Sequence, residues 1–238
     1  MKAMVFAAGL GSRLKPWTDH HPKALAIVNG KSLLQRNIEY LQTAGVTEVV
    51  VNVHHFAEQI IQALQKNNGW GCKVQISDES EELLDTGGGL MKAAQFFLNE
   101  PSFLAMNADI LTDLSLKSFL HHHERSNAMA TLAVSNRKSN RAFLFDENQT
   151  LVGWRQSEPL KEKIVRSSAK QIPMAFSGLH VINPAIFTEI SLEGKFSMVD
   201  VYLSLANHCS ITGFDHSGSR FIDVGKPGSI EMANEIFP

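Results

Sequence analysis

Cysteine is scarce in this sequence: Cys72 and Cys209 are the only two in 238 residues. That is too few for a disulfide framework, and their separation is not that of a metal knuckle. Both are expected to be small apolar fillers in a reducing compartment. No stretch reaches the roughly 18 uninterrupted apolar residues of a membrane-spanning helix. The apolar run Ala3 to Leu10 is short, contains Gly9 and leads into Arg13 and Lys15, so a buried first strand is expected there rather than a secretory leader. An excess of one charge is missing too. With 22 Lys and Arg against 24 Asp and Glu, the formal charge is -2, and no global basic field exists to hold nucleic acid or an anionic membrane. Anion binding therefore has to be local. Repeats and linkers are also absent, which predicts one domain over 1–238 in the cytoplasm.

What is present is alternation, in a chain whose 44% hydrophobic composition can bury a sizeable core. Met1 to Ala8 is an apolar run ending at a glycine turn. Leu34, Ile38 and Leu41 then recur at helical spacing before Gly45. Val46 to Val53 returns as a β-branched strand, and Ile60, Ile61 and Leu64 mark a second helix ending near Asn67 to Gly69. A strand at Lys73 to Ile76, a helix from about Gly88 to Leu98 and a strand from Phe103 to Asn107 continue the rhythm. This predicts an α/β fold, a doubly wound and mostly parallel sheet with helices on both faces and ligand at the carboxyl ends of its strands.

After about Ala128 the pattern becomes strand-rich, at Ala130 to Val134, Ala142 to Phe145 and Thr150 to Arg155. A small antiparallel portion walling one side of the site is expected here. The polar stretch Ser157 to Gln171 reads as an exposed loop and a candidate lid. Phe176 to Ile182 reads as a strand, Pro184 to Ile190 and Met198 to His208 as helices, and a short strand runs to Asp223.

Chemistry concentrates in Gly9-Leu-Gly11-Ser12-Arg13 and, further on, Pro22-Lys23. Glycines after a buried strand let backbone N–H groups approach phosphate oxygens closely. Arg13 can grip two oxygens with its planar fork, while Lys23 acts as a movable point charge. The apolar strand Phe103 to Asn107 delivers Asp109 at its carboxyl end, and Phe221-Ile222 delivers Asp223 just before Gly225. Leu83-Leu84-Asp85-Thr86 opens a helix with three glycines, Gly87 to Gly89, whose backbone can lie flat against a base or phosphate. Adjacent histidines such as His20-His21, His54-His55 and His121-His122-His123 point in different directions and cannot share one ion, so surface or capping roles are expected.

The spacing from Ala8 through Lys23 resembles the signature loop of the sugar-1-phosphate nucleotidyltransferases, a family with the Rossmann-like nucleotidyltransferase A fold. The run Val51-Asn-Val-His54-His55 and the Thr-Gly-Gly-Gly segment are similar to short bacterial enzymes of the N-acetylmuramate-1-phosphate uridylyltransferase and mannose-1-phosphate guanylyltransferase kind. The resemblance implies transfer of a nucleoside monophosphate from an NTP to a sugar 1-phosphate, with Mg2+ as cofactor. It implies Arg13, Lys23 and Asp109 as catalytic residues and Asp109 with Asp223 as metal ligands. Nucleotide contacts fall to Ala8, Gly9, Gly11, Ser12, Arg13, Lys23, Thr86, Gly87 and Gly88, and sugar contacts to Asn107, Glu158, Ser177 and Gly178. The domain is expected to divide into a nucleotide-binding part over about 1–127 and a sugar-binding part, with the second metal aspartate, over about 128–238, and with no additional domain in the sequence a monomer or homodimer is expected over a large assembly. A lysine before the proline in some relatives is replaced here by Ser157-Glu158-Pro159, and Lys226 stands where many have threonine. Phosphocholine or molybdopterin as acceptor, or a non-catalytic nucleotide-sugar binder, remain alternatives at this level.

Overall fold

The computed structural model describes residues 1–226 and 228–238. The first half alternates as β1 (Lys2–Phe6), the two-residue strands β2 (Ile27–Val28) and β3 (Lys31–Ser32), α1 (Leu33–Gln42), β4 (Glu48–Val53), α2 (Ala57–Lys66), β5 (Lys73–Asp78), α3 (Asp85–Lys92) and β6 (Phe103–Asn107). Next come β7 (Ile110–Thr112), α4 (Leu116–Ser126), β8 (Ala130–Ser135), β9 (Arg141–Phe145), β10 (Leu151–Gln156) and β11 (Lys161–Ile164). The chain finishes with β12 (Ile172–Ile182), α5 (Ile186–Glu189), α6 (Met198–Leu205), β13 (Ile211–Asp215), β14 (Phe221–Asp223) and α7 (Ser229–Ile236).

One large sheet runs β11-β10-β9-β12-β6-β1-β4-β5, with β8 joined to β12 and β13 to β8. The strands β6, β1, β4 and β5 are mutually parallel, as the alternating pattern predicts. From β12 outward, pairing is antiparallel except between β8 and β13. Chain order reverses at β1, which lies between β6 and β4, and this switch point is where a doubly wound sheet opens a crevice for ligand.

Period-two alternation divides the core. Met4 and Phe6 pack with Leu90, Phe97, Tyr202 and Val201 on one face, while Ala3 and Val5 pack with Leu34, Ile38, Ile60 and Phe119 on the other. A smaller cluster of Leu14, Val28, Leu111, Ile222 and Val224 ties the glycine turn to β7 and β14. Helix starts follow local chemistry: Ser32 accepts from the Gln35 N–H, and Ser197 and Asp200 form a reciprocal capping box on α6.

Several expectations need correction. The helix expected from Gly88 to Leu98 is α3, which begins at Asp85 and stops at Lys92; a separate single turn covers Ala94–Phe96. The stretch 157–171 is not an open loop. It contains β11, an outer strand paired with β10 and pinned by an Arg155–Glu162 ion pair at 2.6 Å. All four β11 residues are exposed, so backbone pairing rather than burial forms it, which an apolar pattern cannot reveal. No residue of 157–171 lines either main cavity, so the lid reading is not supported. Helices α4 and α7 and strand β13 escaped the sequence reading; α4 buries only Leu116, Phe119 and His123, too few apolar side chains to show as a stripe.

His123 also departs from the surface role expected of its cluster. It is buried and hydrogen-bonded to Thr131 Oγ1 at 2.9 Å, and burial pushes its pKa down to about 4. Buried His180 bonds the Tyr202 hydroxyl at 2.5 Å and is pushed down to about 3 for the same reason. Both are neutral in the folded chain yet free to take a proton near pH 6.5 when unfolded. Their stabilisation is therefore complete above pH 6.5 and is lost as pH falls toward 4. Each contributes a slope of up to about 1.4 kcal/mol per pH unit in that window. Urea denaturation at pH 7, 6 and 5 should show the decline, with a shallower slope for His123→Gln.

Candidate functional site

The crevice beside β1 is a cavity of about 430 Å3 lined by the glycine turn, the start of α3 and the ends of β4, β5 and β6. Gly11 takes a positive φ of 63°, and a Cβ there would meet Thr18 Cγ2 at 2.9 Å. Only glycine suits this turn. Thr18 closes it by donating to the Gly11 carbonyl at 3.0 Å. Ala8, Gly9, Gly11, Ser12, Arg13 and Lys23 all line the cavity, so the structure brings the whole expected phosphate loop to one wall.

The two aspartates meet there. Register pairs Asp223 with Ile110, and the Val224 N–H donates to the Asp109 carbonyl at 2.8 Å. Lys23 Nζ donates to Asp109 Oδ2 and lies 3.8 Å from Asp223 Oδ1, while Arg13 Nη2 stands 4.0 Å from Asp223 Oδ2. Gly225 makes room for this convergence: a Cβ would lie 2.6 Å from Asp223 Oδ1, 3.1 Å from Lys23 Nζ and 3.2 Å from Arg13 Nη2. Neither main cavity has a histidine or cysteine among its described lining residues. The local donors are hard carboxylate oxygens, which suit a hard divalent cation.

The opposite wall consists of Leu83, Asp85 and Thr86, with Lys195 reaching in from the segment before α6. Gly87 and Gly88, expected to lie against the nucleotide, instead stand behind this wall. Their N–H groups donate to the Phe196 carbonyl at 2.9 and 3.1 Å, and a Cβ on Gly88 would collide with the Gly194 carbonyl oxygen. The glycines thus let α3 dock on the 194–196 segment, and Thr86 strengthens the joint by accepting from the Met198 N–H at 3.0 Å.

Asn107 lines the cavity, and Gly178, at φ +71°, leaves the space its side chain needs. Ser177 is buried and committed to His216 Nε2 at 2.8 Å. Glu158 is exposed on the sheet's outer part, where its backbone exchanges hydrogen bonds with Asn140, and it lines neither cavity.

Asn52, Glu79, Lys195 and Arg137 were missed in the sequence. Asn52 accepts from the Ala7 N–H at 2.7 Å and donates to buried Glu79 at 2.7 Å, while Glu79 also accepts from the Leu84 N–H at 3.1 Å. This relay braces the start of the glycine turn against the base of the opposite wall. Asn52 sits in the quoted run Val51-Asn-Val, so its place at a strand end was the available signal. Arg137 belongs to a second cavity, of about 1070 Å3, on the side of Asp223 where β9, β10 and β12 expose their faces. Away from both, Glu189, His208 and Cys209 bring ligand atoms within 4.8 Å of one another. Burial and Glu189 raise the Cys209 thiol pKa, which works against thiolate ligation.

A model of the nucleotidyl transferase family matches residues 2–236. The N-acetylmuramate alpha-1-phosphate uridylyltransferase of Neisseria meningitidis serogroup B is 40% identical over 99% of this chain and 98% of its own length. The protein of the same name from Caulobacter vibrioides is 29% identical over 94% of this chain and 92% of its own. Among solved structures, HddC from Yersinia pseudotuberculosis complexed with GMP-PN superposes with a TM-score of 0.80 at 23% identity, covering 100% and 99% of the two chains, which shows a shared fold. With the family match spanning nearly every residue and a glycine turn, two cations and two aspartates converging where that fold places its ligands, the chain belongs to the nucleotidyl transferase family.

Proposed function

We propose that this nucleotidyl transferase joins the monophosphate of UTP to a sugar 1-phosphate, giving a nucleotide sugar and pyrophosphate, with Mg2+ held by Asp109 and Asp223. The observation that carries the reading is the meeting of both aspartates with Lys23 and Arg13 beside the glycine turn. The uridylyl choice rests on the 40% identical relative. In the reaction, a phosphate oxygen of the acceptor bonds to the α-phosphorus in line, and the bond to the pyrophosphate oxygen breaks with its electron pair. The acceptor phosphate is already anionic at neutral pH, so no general base is needed and positioning with charge neutralisation carries the rate.

Within this scheme the N–H groups of the glycine turn and Arg13 hold the departing pyrophosphate. Lys23, tethered between the aspartates, faces the phosphates at the reacting centre. Thr86 and Leu83 border the base, and Asn107 borders the sugar. Mg2+, when bound, would neutralise phosphate charge at the α-phosphorus. Residues 1–127 supply most of the nucleotide side and 128–238 most of the acceptor side, Lys195 reaching across.

Pyrophosphate release measured with UTP, GTP, CTP and dTTP against a panel of sugar 1-phosphates tests the reading. Turnover is expected to be highest with UTP, to vanish with EDTA and to return with Mg2+. Absence of pyrophosphate release from every pair would overturn it.

A further inference from the structure

Two polar side chains in the first cavity have no task in phosphate transfer itself. Asn52, near the end of β4, and Glu79, just past β5, both belong to the cavity wall, yet both are buried and Glu79 is fully so. The partners of the Glu79 carboxylate among the described residues are neutral, an amide and a backbone N–H. Burying a carboxylate on such terms is costly. For packing alone, an apolar side chain of similar volume would serve at less cost.

What a carboxylate supplies, and a neutral side chain of the same shape does not, is two acceptor oxygens. Both are used: Oε1 accepts from Asn52 Nδ2 at 2.7 Å and Oε2 from the Leu84 N–H at 3.1 Å. Asn52 Oδ1 accepts in turn from the Ala7 N–H at 2.7 Å. Turned over, the Asn52 amide would set its NH2 against that N–H and its oxygen against the carboxylate, so the link runs in one direction only. Gly89 reserves the space for it, since a Cβ there would lie 2.5 Å from Glu79 Oε1 and 2.9 Å from Asn52 Nδ2. One end of the link is the residue before Ala8 and Gly9 of the phosphate wall. The other lies between Leu83 and Thr86 of the wall opposite.

We infer that Asn52 and Glu79 are positioning residues that hold the glycine turn and the opposite wall at a fixed separation, so that a nucleoside triphosphate meets its base contacts and its phosphate contacts together. A wall set in advance spares the ordering that binding would otherwise have to impose. The inference rests on nucleotidyl transfer in this cavity, and it adds two residues that act through the Ala7 and Leu84 backbone rather than on the substrate.

The test uses whichever of UTP, GTP, CTP and dTTP the wild-type chain turns over fastest. Glu79→Gln keeps the shape but offers one acceptor oxygen, so either Asn52 or Leu84 meets a second donor. KM for the triphosphate, and its Kd by calorimetric titration with Mg2+, should rise at least about tenfold, the worth of one hydrogen bond to a charged group. KM for the sugar 1-phosphate should move less than about twofold, which a general loss of structure would not allow. Asn52→Asp should weaken the triphosphate likewise, because it sets two carboxylates face to face. Combining Asn52→Asp with Glu79→Gln rebuilds the link with its charge moved. The introduced aspartate then accepts from the Ala7 N–H and from the introduced glutamine amide, whose oxygen accepts from the Leu84 N–H. The double variant should return to within about threefold of wild-type triphosphate affinity, a coupling that independent sites would not show. Unchanged affinity in Glu79→Gln overturns the inference, as does an equal loss for triphosphate and acceptor. A double variant no better than the weaker single also overturns it. Should the single variants fail to fold, the double variant is compared with wild type directly, and weak triphosphate binding by it overturns the inference. No turnover of any of the four triphosphates by the wild-type chain overturns the underlying reading and the inference together.

Discussion

Asp109→Ala should lower kcat by about three orders of magnitude, near 4 kcal/mol of transition-state stabilisation, while leaving the fold intact. The side chain's only hydrogen-bond partner among the described residues is Lys23. What the rest of the structure takes from this position is the backbone carbonyl, which accepts from the Val224 N–H and survives any substitution. The carboxylate is partly exposed, so its removal leaves no buried orphan beyond Lys23, which keeps Asp223 within 3.8 Å. A thermal melt close to wild type with turnover at background is the expected result. Near-normal turnover would remove Asp109 from the mechanism.

Gly225→Ala should separate activity from stability in a second way. The three atoms a Cβ would meet are the tips of Asp223, Lys23 and Arg13, all able to swing aside. The substitution is therefore expected to shift stability by about 0.5 kcal/mol or less, because it also restricts the unfolded chain. Moving those tips by even an ångström takes them from the positions that the proposed reaction uses, and a displacement of that size costs on the order of a hundredfold in rate. Steady-state kinetics beside a denaturation curve decides it. Full activity in the Gly225→Ala variant would mean that the convergence of the three side chains is not the working arrangement.

Legibility differed along the chain for physical reasons. The parallel core was readable because strands buried on both faces and amphipathic helices leave strong periodic signals, as in Met1 to Ala8 and Leu34 to Leu41. Strand β11 was not readable, since its pairing is made by backbone groups under exposed Lys and Glu side chains. The glycine turn was legible because its glycines and cations lie close together in the chain. Arg137 was not, because one arginine in a polar connection looks like any solvated cation until Phe221 is seen beneath it.

By itself the sequence determined the alternating core, the glycine turn with its cations and the placing of an acid at the end of β6. Each of these depends on side chains near one another along the chain and on local backbone geometry. Only the tertiary structure decided that Asp223 meets Asp109, that Gly87 and Gly88 support the wall rather than face the cavity, and that a cationic, aromatic-floored space adjoins Asp223. Those outcomes follow from the register of β14 on β7 and from the docking of α3 on the segment before α6, long-range contacts that sequence spacing does not encode.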